Sequence, residues 1–68
     1  MDPELVEFVE ATAKARKEPP VARQYIEEAL RRIDAKEEGV SRYPSGSPSL
    51  KGIYNIAARL ESEAAIKN

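Results

Sequence analysis

Lys51, Asn55 and Arg59 recur at intervals of four residues. On a helix that spacing makes one polar stripe. These side-chain types read base edges in a DNA major groove, Asn on adenine and Lys or Arg on guanine. Arg42 and the serines at 41, 45, 47 and 49 stand just before the stripe, at positions suited to phosphate contact. The plainer reading is a solvated helix face, where Lys, Asn and Arg are common. Tyr25, Tyr43 and Tyr54 are the other residues with binding character, because Tyr is enriched among interface anchors. Each also suits the edge of a core with its hydroxyl in water. Tyr43, beside Pro44 in an irregular segment, is the least explained by packing.

Other chemistry lacks its residues. Glu27-Glu28, Glu37-Glu38 and the pair Glu61 and Glu63 are close in sequence. Adjacent helix positions point about 100° apart, so such doublets do not share a site. The loop serines have no His to activate them, and neither Lys51 nor Arg42 is an evident base. Gly46 stands alone between serines, so there is no Gly-rich phosphate cradle. The chain has no Cys, His or Trp, which removes disulfides, thiol chemistry and the strongest ligands for zinc, haem and iron–sulfur clusters. Carboxylates alone suit a hard cation, but Asp2 and Asp34 are the only Asp residues and form no calcium loop. No catalytic, cofactor or metal role is assigned to any residue, and the chain reads as non-enzymatic.

Charge ranks the partners. Twelve acids against eleven bases leave −1 overall. Residues 1–38 carry −3 and residues 39–68 carry +2. An acidic whole argues against a general nucleic-acid binder. Glu27, Glu28, Glu37 and Glu38 would also repel phosphate. A helix-turn-helix needs a connection of about 3–4 residues, far shorter than the irregular segment 39–49. A helical peptide or a second copy in a weak homodimer therefore ranks above nucleic acid. Val6, Ile56 and Ile66 sit off the tightest apolar seams and form the expected exposed strip for self-association. No apolar run approaches a membrane span, and no signal-peptide order is present. A soluble chain is expected, cytoplasmic if natural.

The elements that position these residues are helical. Sixty-eight residues make one domain, with 41% apolar residues, ten of them Ala, so the core is thin. Helix 1 is expected over about 3–17, capped by Asp2 and started by Pro3. Its stripe is Leu5, Phe8, Val9, Thr12 and Ala13, widened by Val6, and Glu10 pairs with Lys14. Helix 2 is expected over about 20–38, opened by Pro19-Pro20 and closed by Gly39. Its stripe is Ala22, Tyr25, Ile26, Ala29, Leu30 and Ile33, with Glu27–Arg31 and Glu28–Arg32 pairs. Residues 39–47 form a long loop, pinned by Val40 and Tyr43. Helix 3 is expected over about 48–66, capped by Ser47, with a seam of Leu50, Ile53, Ala57, Leu60 and Ala64. Gly52 in its first turns implies that a neighbouring backbone, that of the loop, packs closely there. Lys67-Asn68 should fray.

The expected fold is all-α, a small three-helix bundle over residues 1–68 with a long loop between helices 2 and 3. The expected core is Leu5, Phe8, Val9, Ile26, Ala29, Leu30, Ile33, Leu50, Ile53, Ala57 and Leu60. The function expected is a compact non-catalytic scaffold. Regular capping, acid-first pairs and scarce Asn, Gln and Met also match a designed or stability-optimised sequence with a high melting temperature. The alternative is a natural module that binds a helical peptide or, ranked lower, nucleic acid through helix 3.

Overall fold

Residues 18–22 set the first corner. A residue before proline is driven to extended geometry, so Glu18 and Pro19 leave the helical region ahead of Pro20. The computed structural model describes residues 3–67. In it α1 spans Pro3–Ala15, α2 spans Arg23–Asp34 and α3 spans Leu50–Lys67. The fold is an all-α three-helix bundle, and among the described residues there is no strand. The expected Asp2 cap and the fraying of Asn68 lie outside the described residues.

α2 is shorter than expected at both ends. The extended run continues through Ala22, whose ψ is 140° and whose side chain makes no cap. The Ala22 N–H instead donates to Glu61 Oε2 of α3 at 2.9 Å, a carboxylate placed at the positive end of a helix. Val21 precedes the cap and Ile26 lies four positions inside; the two line one cleft, the arrangement of a hydrophobic staple.

The far end of α2 turns at Lys36, not at Gly39. Glu37 N–H reaches Arg32 C=O at 2.8 Å and Lys36 N–H reaches Ile33 C=O at 3.1 Å, with Lys36 at φ 61°. That is a Schellman ending. α1 ends the same way: Glu18 N–H donates to Ala13 C=O, Lys17 N–H to Lys14 C=O, and Lys17 has φ 59°. Lysine at these left-handed positions carries a steric cost that glycine avoids. Lys36→Gly is therefore expected to raise stability by about 1 kcal/mol in urea unfolding. A loss would mean that the turn is not left-handed.

Residues 41–49 of the connection form a miniature hairpin. Gly46 N–H closes a turn on Tyr43 C=O at 2.8 Å, with Pro44 in the corner and Gly46 at φ 92°. Tyr43 N–H donates to Ser47 C=O, Ser49 N–H donates to Ser41 C=O, and Arg42 faces Pro48 in an isolated antiparallel bridge. Pro48 therefore stays outside α3, and Ser49 rather than Ser47 is its cap, its hydroxyl accepting Gly52 N–H at 3.1 Å.

The core is Val6, Val9 and Ala13 of α1; Ile26, Ala29, Leu30 and Ile33 of α2; and Leu50, Ile53, Ile56, Ala57 and Leu60 of α3. The most extensive packing joins α2 to α3. Each helix contributes one fully enclosed alanine there, Ala29 and Ala57, small enough to let helices approach. α1 departs from expectation. Phe8 is 64% exposed and Leu5 41%, while Val6 is 1%. The apolar stripe of α1 is too wide for a thin core to bury whole. Arg23 of α2 holds Glu10 at 3.4 Å and Glu7 at 3.7 Å, beside Val6 on the helix surface. The pairs fit the orientation of α1 in which the valines go in and Phe8 goes out, and Arg23 takes the place of Lys14 as the partner of Glu10. Val6 and Ile56 are consequently core, and of the expected exposed strip only Ile66, at 82%, is on the surface.

Candidate functional site

The stripe on α3 is exposed at Lys51, Asn55 and Arg59, as its spacing requires. Two of the four residues that were candidates for nucleic acid are already engaged. Arg59 donates to both carboxylate oxygens of Glu38 and lies 3.4 Å from Glu63. Arg42 donates to the Gly46 carbonyl at 2.7 Å, bracing the hairpin. Lys51 and Asn55 edge a shallow hollow with Arg16, Glu18 and Tyr54, whereas Arg42 lines a different cleft. The four do not form one patch.

Arg59 belongs to a longer chain of charges. Glu28 accepts from Arg31 at 2.7 Å and from Arg32 at 2.8 Å, and Arg31 also reaches Glu37 at 3.3 Å. Arg32 approaches Glu38, which Arg59 holds from α3. Glu28 thus takes the place of Glu27 as the partner of Arg31. The turn at Lys36 swings Glu37 and Glu38 back to these arginines. Hydrogen bonds from Arg31 and then Arg32 pull the Glu28 carboxyl from 4.5 down to about 2. Arg59 likewise holds Glu38 below the ordinary carboxylate range. A carboxyl whose pKa is depressed on folding adds stability above its unfolded value and loses it as the pH falls. The melting temperature is therefore expected to be level from about pH 8 to 5 and to fall between about pH 4.5 and 2. Glu28→Gln should flatten part of that fall. An identical acid limb in the variant would contradict the pairing.

The tyrosines divide. Tyr25 is half-buried against the core. Tyr54 is half-buried with its hydroxyl enclosed and without a hydrogen-bond partner among the described residues. Burial, and then the carboxylates of Glu18 and Glu61, push that phenol upward. Tyr43 sits on the hairpin turn, 49% exposed.

One surface was absent from the sequence reading. Leu5, Leu30, Ile33 and Pro48 floor a cleft of about 510 Å³ between the start of α1, the end of α2 and the hairpin. Arg31, Asp34, Lys36 and Arg42 form its rim. Phe8 stands exposed one turn along α1 from Leu5. The available signal was the excess width of the α1 stripe, which no single core could cover.

Among the described residues no cluster of three or more acidic side chains is placed to hold a metal. No helix among them is long and apolar enough to cross a membrane. No known protein family, curated protein or solved structure matches the chain.

Proposed function

We propose that this chain is a non-catalytic helical scaffold that acts through its surface. The observation that carries the reading is that every buried residue in the described part is apolar. General acid–base catalysis needs a titratable group moved toward neutrality, usually by enclosure. Here the carboxyls with resolved shifts, Glu28 and Glu38, move the opposite way because arginines neutralise them. Carboxyl-carbon NMR titration tests this: Glu28 and Glu38 should titrate low, and a cleft carboxyl titrating near neutrality would contradict the reading. We take the module to work in aqueous solution, in the cytoplasm if the chain is natural; the charged outer faces of its helices support the first point.

A second reading, a small interaction module, is favoured by the exposure of Leu5 and Phe8 beside an apolar cleft. Helical peptides are bound in grooves of this kind. Nucleic acid ranks below, because Arg42 and Arg59 are held internally. Titration of a labelled duplex at low salt should show no saturable binding; binding lost in Lys51→Ala with Arg59→Ala would restore that possibility. An engineered, thermostable origin is not part of the proposal. Lysines at left-handed turns and an open phenylalanine are features that optimisation for stability removes.

A further inference from the structure

The outer side of α1 carries a second apolar seam. Leu5, Phe8, Thr12 and Ala15 step by three, four and three residues, the spacing of a coiled-coil face. A large, open aromatic on such a seam marks a contact surface when it adjoins further apolar area. It does so here, because Leu5 is both the first residue of the seam and a wall of the cleft with Leu30, Ile33 and Pro48. Knob and hollow thus share an edge. A two-fold contact requires that property: one patch that fits a copy of itself, each knob entering the other copy's hollow.

Charge selects the same occupant. The first three turns of α1 carry Glu4, Glu7 and Glu10, and its one base is Lys14; Arg23 lies 3.7 Å from Glu7 and 3.4 Å from Glu10, and both carboxylates keep an exposed side. The cleft rim has three bases against Asp34. Arg31 is already paired with Glu28 and Glu37, and Arg42 is bound to Gly46 C=O. Lys36 makes no ion pair among the described residues and is the rim cation open to a new carboxylate. An approaching α1 therefore brings apolar side chains flanked by acids to an apolar floor flanked by a base.

We propose that this surface is a homodimer contact, in which Phe8 of each copy seats on Leu30, Ile33 and Pro48 of the other and Lys36 meets the acidic edge of α1. The proposal rests on the interaction-module reading and supplies its partner. Even two short helices and two clefts bury less than a standard interface, so association is weak, with half-dissociation on the order of 100 μM.

The test is dilution of the full chain from about 1 mM to about 20 μM, a range that spans this affinity, followed by sedimentation equilibrium and amide NMR. The expected result is a mass rising toward dimer with concentration. Shifting signals should cluster at Leu5, Phe8, Ile33, Lys36 and Arg42. Phe8→Ser should abolish association with an unchanged circular dichroism spectrum, and Lys36→Glu should weaken it severalfold. If Phe8→Ser does not fold, the wild-type shift map and Lys36→Glu decide. A monomer at 1 mM, shifts centred elsewhere, or a dimer that survives a folded Phe8→Ser overturns the proposal. A synthetic amphipathic helix with a Leu/Phe seam and Glu flanks separates the two levels. A monomer that binds it at this cleft overturns the homodimer and keeps the module; a monomer that ignores it removes both.

Discussion

Ile26→Ala is expected to cost about 3–4 kcal/mol, within the range for truncating a buried isoleucine. Ile26 is 2% exposed and is one of the largest fully enclosed side chains. It belongs to α2, which packs against both α1 and α3, and forms the staple with Val21 from four positions inside the cap. Its loss opens a cavity where α1, α2 and the Pro-Pro corner meet, and α2, held by a connection at each end, cannot shift freely to refill it. A chain of 68 residues has a total stability of about 3–10 kcal/mol. The variant should thus lose about a third or more of that total, and its urea midpoint should fall by the same fraction. A loss under about 1 kcal/mol would show that the site is not close-packed.

The second large effect is a coupling between Gly52 and Val40. By helix propensity alone, Gly52→Ala should gain about 1 kcal/mol. The structure reverses the sign, because a Cβ on Gly52 would collide with Cγ2 of Val40, which packs on the core from the hairpin. Valine is stiff about χ1, so the hairpin itself must shift, at an overpacking cost of about 1–3 kcal/mol. The single variant should lose about 1–2 kcal/mol net. In Val40→Ala with Gly52→Ala the methyl is gone, and much of the loss should return. A double-mutant cycle should give a coupling of about 2 kcal/mol. Additive effects would mean that the hairpin does not lie against α3.

That contact was half legible in the residues. A glycine in the first turns of an otherwise strong helix announces a close approach, but not that the neighbour is a side chain of the loop. The seams of α2 and α3 were legible in their centres: Ile26, Ala29, Leu30 and Ile33, then Leu50, Ile53, Ala57 and Leu60, are all buried, whereas Ala22 is exposed, Tyr25 and Ala64 are half-buried and Ile56, expected on the surface, joins the core. In those helices the apolar stripe is narrow and periodicity leaves one way to turn it. In α1 the stripe is wide enough for two orientations, and the choice lies in its packing on α2 and α3, distant in sequence. The end of α2 was hidden for the same kind of reason. Lys36, Glu37 and Glu38 have good helix propensity, and the pairs of Glu37 and Glu38 with Arg31, Arg32 and Arg59 exist only in the turned chain. The α3 polar stripe was read correctly as exposed. Its loss of Arg59 to Glu38, 21 residues away in the chain, belongs to tertiary structure alone.

The orientation of α1 governs both the core and the proposed contact surface. It is tested most directly by comparing the unfolding free energies of Val6→Ala and Phe8→Ser at low micromolar concentration, where self-association is absent. Val6→Ala is expected to lose about 2 kcal/mol, from two buried carbons and the space they leave. Phe8→Ser is expected to stay within about 0.5 kcal/mol of the unmodified chain. The opposite order, with Phe8→Ser losing about 3–5 kcal/mol as a core phenylalanine would, would contradict this orientation and the surface built on it.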